Sequence, residues 1–96
     1  MIDLEENERI VWQRSASLKI RHKKIAGTIF ITNRRVAFKP FLSKKVLNLK
    51  IEEIKKIEMV RGILKKIRIT AGRKEYLFFT KNAHDIANLI EKMAKI

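Results

Sequence analysis

The chain has 96 residues, which is enough for one folded domain with a hydrophobic core but leaves little for a second. It contains no cysteine, which excludes disulfide bonds, thiol chemistry and sulfur-ligated metals. Its net charge is +13, and residues 9–96 hold all twenty-three basic residues against six acidic ones, so an anionic partner is indicated: a phospholipid surface, an acidic protein or a nucleic acid.

The N-terminal segment, residues 1–8, is an acidic lead-in without an apolar run, so we predict no signal peptide there. No apolar stretch of the sequence approaches the roughly twenty residues that a membrane-spanning helix needs. We therefore expect residues 1–96 to form a single cytoplasmic domain, which membrane association would place peripherally at the inner membrane face.

Alternation of apolar and polar residues predicts β-strands along most of the chain. Residues 9–20 form the longest such run, and Arg14 alone interrupts its apolar face. The residues predicted on that face are Ile10, Trp12, Ala16, Leu18 and Ile20. Further strands are predicted for residues 24–32, 35–39, 45–50, 55–61, 63–70 and 74–80, with a short crossing segment at 51–54.

The last part of the chain changes to a helical period. Asn82 is a favourable N-cap, and Asp85 suits the positive end of the helix dipole. The apolar residues then recur every three or four positions as Ile86, Leu89, Ile90 and Met93, with Ala83 and Ala87 beside them. We predict an amphipathic helix over residues 82–95. The predicted fold class is mainly β: a seven-stranded antiparallel barrel or sandwich, spanning residues 9–80, capped by this one helix.

The most informative segment reads Gly27-Thr28-Ile29-Phe30-Ile31-Thr32-Asn33-Arg34-Arg35-Val36-Ala37-Phe38. It predicts two strands joined by a polar turn, in which Asn33 tolerates the positive φ that a tight hairpin needs. Ile29 and Ile31 share a face of the first strand, and Val36 and Phe38 share a face of the second.

This hairpin closely resembles the signature Gly-x-x-x-x-Thr-Asn-x-Arg-x-x-Phe of the GRAM branch of the pleckstrin-homology superfamily. The segment Leu47-Asn48-Leu49-Lys50-Ile51-Glu52-Glu53-Ile54 resembles the family's fourth strand and crossing, and the likeness covers roughly residues 8–95. The resemblance implies a pleckstrin-homology fold and a domain that binds lipids, membranes or proteins without catalysis. Arg35 occupies the family's arginine position, for which we predict a structural role, bonded to a backbone carbonyl or a carboxylate, whereas Arg34 is predicted to be solvated.

The resemblance also implies that the loops after the first, third and sixth strands meet at the open end of the barrel. The candidate residues for binding an anionic ligand or membrane in these loops are Arg21, Lys23, Lys24, Lys39, Phe41, Leu42, Lys44, Lys45, Arg73 and Lys74. The first loop is basic but does not follow the spacing of phosphoinositide-binding members. Strand parity alone would instead place the turn after the fifth strand, with Arg61, Lys65 and Lys66, beside the first and third loops.

The apolar pair Phe41-Leu42 lies between Pro40 and two lysines. This pattern is typical of a loop whose tip inserts into a membrane interface while its cations meet anionic lipid. The alternative is that the pair folds back and caps the barrel. The other aromatic residues fit buried faces, which disfavours a nucleic-acid surface of the stacking type. Those assigned to packing are Trp12, Phe30, Tyr76, Phe78 and Phe79.

Catalytic chemistry finds little support in the residue inventory. His22 and His84 have no partner at metal-ligand spacing, and Glu52 and Glu53 are adjacent and point apart. We predict no enzyme and no catalytic, cofactor-binding or metal-binding residues. The predicted function is a binding module that docks on an anionic surface, first of all an acidic phospholipid membrane, with an acidic protein surface as the other expected partner. The second prediction is a protein–protein interaction module, in which an exposed sheet edge or a groove beside the helix receives a peptide. The third is nucleic-acid binding without sequence preference. No small-molecule substrate is expected, and the sequence leaves the oligomeric state open.

Overall fold

The computed structural model describes residues 2–96, which form seven antiparallel strands and one C-terminal helix. The strands are β1 (Ile10–Ile20), β2 (Lys23–Thr32), β3 (Arg35–Pro40), β4 (Leu47–Lys50), β5 (Ile54–Val60), β6 (Lys66–Ala71) and β7 (Lys74–Phe79). A single 3-10 turn at Ile51–Glu53 joins β4 to β5, and helix α1 spans Ala83–Ala94. The predicted fold class is confirmed.

The seven strands make one sheet in the order β4-β3-β2-β1-β7-β6-β5. The long strand β1 joins its two halves: it pairs with β2 along most of its length and with β7 through Ser17–Lys19. Helix α1 packs against β5, β6 and the 3-10 turn, so it covers the core beside the connection between the two edge strands.

The main core lies on the face of the sheet that the helix covers. Its largest fully buried side chains include Phe38 and Phe78, whose ring centroids are 5.6 Å apart, and Ile86 and Ile90 of α1. The paired hairpin residues Ile29, Ile31, Val36 and Phe38 all belong to this core, as the alternation in the signature segment predicts. The helical stripe is likewise buried through Ala83, Ile86, Ala87 and Ile90.

A second, smaller cluster lies on the opposite face of β2 and β3. Phe30 and Ala37 alternate with main-core residues and therefore point the other way, where Ile2 of the N-terminal segment covers them. Ile10 packs in this second cluster, whereas Trp12 packs against the main core. The prediction that both share one face is wrong, because the pairing of β1 with β2 shifts between these two residues, and such an irregularity reverses the alternation.

Strand β6 begins later than the sequence predicts. Val60 pairs with Lys66, so residues 61–65 form a loop and the predicted strand start at residue 63 is wrong. Ile63 is 102 % exposed and Leu64 is 54 % exposed. Apolar identity predicts a strand here, but the register of β5 against β6 leaves these two residues without a partner strand. We call residues 61–65 the β5–β6 loop.

The turn between β2 and β3 is held by side chains and not by a positive φ at Asn33. The non-glycine residues with positive φ in the described chain are Asn7, Arg21 and Lys95, so that prediction for Asn33 is wrong. Instead, the hydroxyl of Thr32 accepts hydrogen bonds from the backbone N–H groups of Arg34 and Arg35, each at 3.0 Å. Such a hydroxyl-closed turn leaves the Asn33 side chain available for other contacts.

Asn33 uses its amide to bind the N-terminal segment. Its Oδ1 accepts a hydrogen bond from the backbone N–H of Arg9 at 2.9 Å, and its Nδ2 donates to the carbonyl of Asn7 at 3.1 Å. The N-terminal segment is therefore fixed against the end of the hairpin by the residue that follows Thr32 in the signature.

Arg35 fixes the same segment through a buried ion pair. Its Nε donates to the Glu8 carboxylate at 2.8 Å, and its guanidinium also donates to the Asp3 carbonyl and to the side chain of Asn48. The predicted structural role of Arg35 is confirmed, and Arg34 is exposed as predicted. Hydrogen bonds from Arg35, assisted by the Thr32 hydroxyl and the Glu5 amide, outweigh burial and lower the pKa of Glu8 from 4.5 to about 2.

Candidate functional site

Two loops and the start of β7 border a cavity at one end of the sheet, which we call the end cavity. Its wall is apolar, formed by core residues whose edges reach the opening, and its volume is about 680 Å³. The apolar and aromatic lining residues are Leu18, Ile20, Ile25, Phe38, Pro40, Val46, Leu47 and Tyr76. Four cations and one carboxylate line the same cavity: Lys19, Arg21, Lys45, Lys74 and Glu75.

The end cavity contains residues from the first and third loops and from the strand that follows the sixth. Arg21 lies in the turn between β1 and β2, Lys45 in the connection from β3 to β4, and Lys74 at the start of β7. These three cations of the predicted site therefore lie around a common apolar opening. This grouping follows the loop set that the resemblance implies.

Arg21 occupies a left-handed backbone conformation, with φ 55°. Ile20 pairs with Lys23, so Arg21 and His22 form a turn of only two residues. A left-handed conformation costs an arginine roughly 1–2 kcal/mol that a glycine would not incur. The chain therefore has a strained cation beside the end cavity, at a position where glycine would serve the fold equally well.

A second depression crosses β1, β2 and the end of β7, and we call it the lateral groove. Its volume is about 880 Å³, and its lining includes the cations Arg14, Lys24, Lys65 and Lys81 but no Asp or Glu. The apolar part of the lining comes mainly from Phe41, Ile63, Leu64 and Phe79. Phe41 follows β3 and Ile63 and Leu64 lie in the β5–β6 loop, so residues far apart in sequence meet here.

The sequence predicts that Phe79 packs on a buried face, but it belongs to neither hydrophobic cluster. It is half-buried, with its neighbour Phe78 facing the core, and two lysines lie over its ring. The Nζ of Lys24 is 4.0 Å from the ring centroid and that of Lys66 is 5.5 Å away. These cation–π contacts hold two ammonium groups beside the lateral groove.

The predicted site residues thus divide between two places. Arg21, Lys45 and Lys74 line the end cavity, and Lys24 and Phe41 line the lateral groove. The remaining predicted residues lie in or beside the same loops without lining either depression: Lys23, Lys39, Leu42, Lys44 and Arg73. Strand parity indicates the β5–β6 loop, which borders the lateral groove. The family resemblance indicates the sixth loop, which leads into Lys74 at the end cavity.

The pair Phe41-Leu42 does not cap the barrel. Phe41 is 63 % exposed and Leu42 is 101 % exposed, although the backbone N–H of Phe41 is bonded to the Ala26 carbonyl at 3.1 Å. The loop is therefore tied at its base while its apolar tip remains in solvent.

Replacing Phe41 and Leu42 with serine should change the free energy of unfolding by no more than about 0.5 kcal/mol for each residue. Exposed side chains make few contacts that the folded state could lose. Urea unfolding followed by the fluorescence of Trp12 measures the change. A loss of several kcal/mol, as for large-to-small changes in a core, would contradict the exposed placement of the pair.

Several residues of the lateral groove escape the sequence analysis. The signal for Ile63 and Leu64 is nevertheless present, because Ile63-Leu64-Lys65-Lys66 has an apolar pair followed by two lysines, much like Phe41-Leu42-Ser43-Lys44-Lys45. Arg14 is hidden by its strand, and its role depends on the fold: its Nε donates to the Oδ1 of Asn82 at 3.2 Å. Asn82 precedes α1 as predicted but makes no side-chain cap hydrogen bond.

Within residues 2–96, no helix is both long enough and apolar enough to cross a bilayer. Both depressions present cations and apolar side chains on the surface of a small β domain. Such an arrangement can bind an anion whose neighbouring surface is apolar.

Comparison with known families gives a match over almost the whole chain. The model of the GRAM domain family matches residues 1–95. Domains with this fold are typically non-catalytic modules that bind lipids or proteins. No match was found among curated protein sequences.

Solved structures with similar folds share little sequence with this chain. A C-terminal domain of an unknown protein from Leishmania infantum aligns with a TM-score of 0.81 at 14% identity, over 95% of this chain and 88% of that one. The Vps36 N-terminal PH domain aligns with a TM-score of 0.78 at 14% identity, over 96% and 83%. The DH/PH fragment of PDZRHOGEF, solved in complex with human RhoA, gives 0.77 at 12% identity, over 92% of this chain but 29% of that one.

Proposed function

The chain belongs to the GRAM domain family, and from this membership and the end cavity we propose that it docks peripherally on anionic phospholipid membranes. One observation carries the proposal: Arg21, Lys45 and Lys74 lie around an apolar cavity that opens at the loop end of the sheet. Lipid headgroups supply the anionic partner, and the apolar opening suits the glycerol and upper acyl region beneath them. In this role residues 1–96 act as one domain, without catalysis.

The exposed tip Phe41-Leu42 supports the same orientation. It follows Pro40, which lines the end cavity, and two lysines come directly after it in sequence at Lys44 and Lys45. A fully exposed leucine is unfavourable in water, and its transfer into the interface of a bilayer lowers the free energy. The cations beside it contribute about 1 kcal/mol each near an anionic surface, and this contribution decays over a Debye length.

The strained turn at Arg21 supports a functional role for that cation. Backbone strain that the fold does not require tends to occur where a side chain is needed. Glycine would be accommodated at φ 55° without a steric penalty. The arginine is therefore explained better by what it binds than by what it contributes to folding.

Replacing Arg21 and Lys45 with glutamine should weaken partitioning onto anionic vesicles about thirtyfold, since two cations near the surface are lost. Co-sedimentation with phosphatidylcholine vesicles, with and without phosphatidylglycerol, measures this at two salt concentrations. The matched control is Lys55→Gln with Lys92→Gln, which removes the same charge from exposed positions in β5 and α1. A single Arg21→Gly variant should bind more weakly without any loss of stability.

Equal losses in both double variants would mean that net charge alone attracts the protein, which contradicts a role for the end cavity. Absence of the unsubstituted protein from anionic vesicles would overturn membrane docking altogether.

The second candidate, a protein-interaction module, is favoured by the edge of β5, which pairs only with β6 within the described residues. An extended peptide could add to such an edge. Recovery of a defined protein partner without vesicle binding would support the protein-interaction module. Retention on duplex DNA would support the third candidate, nucleic-acid binding.

A further inference from the structure

The β5–β6 loop lies beside the tip of the loop that follows β3. Ile63 and Leu64 line the lateral groove together with Phe41, and Leu42 follows directly in the chain. Four of the nine large apolar side chains exposed in the described residues therefore belong to two neighbouring loops. The apolar surface is concentrated and not scattered, and such concentration in a small protein marks an interaction site.

Charge identifies the partner that fits this surface. The lateral groove is lined by Arg14, Lys24, Lys65 and Lys81 and by no acidic side chain. Lys24 is held in place over the ring of Phe79. A protein partner would have to supply an anionic surface beside an apolar one over the whole groove. An anionic bilayer presents both layers in that order, phosphate outside and hydrocarbon beneath.

We propose that the β5–β6 loop is a second membrane-inserting element and that the lateral groove holds an anionic lipid headgroup separate from the end cavity. The proposal rests on the membrane docking proposed above and extends it. Ile63 and Leu42, both fully exposed, enter the bilayer interface together, and the third loop stands between the two cationic depressions. Insertion at two loops fixes how the domain is oriented on the membrane, which a single loop tip does not.

The absence of cysteine from the chain permits a direct test. Single variants Ile63→Cys, Leu42→Cys and Ile96→Cys are labelled with an environment-sensitive fluorophore and mixed with vesicles of phosphatidylcholine and phosphatidylglycerol. Ile96 is the control, since it is 51 % exposed and lies at the far end of α1, roughly 18 Å along the helix from Asn82. We expect the emission of the labels at positions 63 and 42 to shift to the blue and that at position 96 to stay unchanged.

A second variant measures how much the loop contributes. Ile63→Ser with Leu64→Ser should weaken partitioning onto the same vesicles about tenfold and leave its salt dependence intact, because apolar insertion is lost and charge is kept. Insertion of position 42 but not 63 would overturn this proposal and leave the proposed function standing. If neither position inserts although the protein partitions onto the vesicles, this proposal fails and the proposed docking stands, whereas a protein that does not partition onto them overturns both. A change of oligomeric state in the serine variant, seen by size-exclusion chromatography without any change in partitioning, would assign the loop to a contact between copies and overturn the membrane role.

Discussion

Replacing Glu8 with glutamine should lower the free energy of unfolding by about 3 kcal/mol, since the change leaves the largely buried Arg35 guanidinium without its anionic partner. The Glu8 side chain is fully buried, and it is bonded to Arg35 and to the Thr32 hydroxyl, which donates at 2.6 Å. Glutamine keeps the size of the side chain but not its charge. Chemical denaturation measures the loss, and a chain of this size should show a fall in Tm of well over 10 °C, at roughly 4–8 °C per kcal/mol.

The control is Glu6→Gln, which removes the same charge from an exposed position two residues away. It should change stability by less than about 0.5 kcal/mol. Replacing both Glu8 and Arg35 with apolar residues of similar volume should cost less than the sum of the two single changes, because no unpaired charge remains buried. Equal effects of Glu8→Gln and Glu6→Gln would show that the buried pair does not fix the N-terminal segment.

The same carboxylate predicts how stability depends on pH. The folded pKa of Glu8 is about 2, below the ordinary value of 4.5, so folding favours the ionised form. Its contribution, on the order of 3 kcal/mol, is fully present above pH 4.5 and is lost as the pH falls from there towards 2. Unfolding curves measured across this window should converge for the unsubstituted protein and the Glu8→Gln variant. A constant difference between them down to pH 2 would contradict the assignment.

Replacing Gly27 with alanine should also lower the free energy of unfolding by about 3 kcal/mol. The cause here is steric overlap, whereas in Glu8→Gln it is the loss of a charge. A Cβ at this position would overlap the backbone carbonyl oxygen of Lys39 and would lie 2.7 Å from Cζ of Phe38 and 2.9 Å from Cα of Pro40. Two of these atoms are backbone, so β2 and β3 would have to separate at their paired residues Gly27 and Pro40. Denaturant unfolding of the variant measures the cost.

Gly72→Ala is the matched control for this substitution. Gly72 has φ 61° and no atom within 4 Å of an added Cβ, so its replacement incurs backbone strain alone, roughly 1–2 kcal/mol. The difference between the two variants isolates the steric contribution at Gly27. A Gly27→Ala variant no less stable than Gly72→Ala would show that β2 and β3 can move apart easily.

Local pattern was sufficient to predict the elements of the fold. Alternation located every strand to within about three residues, and the change of period located α1, because burial on one face imposes these periods. It was insufficient at the irregularity between Ile10 and Trp12, which depends on the pairing of two strands. It also failed at Ile63 and Leu64, where apolar residues remain outside the sheet, since periodicity carries no information about where a partner strand ends.

The signature of the hairpin could be recognised from sequence, but the reason for it could not. Thr32, Asn33 and Arg35 form hydrogen bonds with the segment around Glu8, which lies more than twenty residues away in sequence. No pattern in residues 1–8 predicts this contact. The division of the predicted loops between the end cavity and the lateral groove likewise depends on the order in which the strands pair. The sequence shows which residues are cationic. Only the three-dimensional structure shows that Arg21 lines the end cavity and that Lys24 lines the lateral groove.

The contact between the N-terminal segment and the turn at Thr32 has an electrical consequence. It holds Asp3, Glu5 and Glu6 at one end of β2, while the cations of the end cavity lie at the other, roughly 30 Å away along a ten-residue strand. The carboxylates at the hairpin end offset the charges of Arg9, Arg34 and Lys50 there, whereas the end cavity has a single carboxylate, Glu75, against four cations. A negatively charged surface therefore attracts the end cavity more strongly than the hairpin end, and this difference turns the domain before any contact forms.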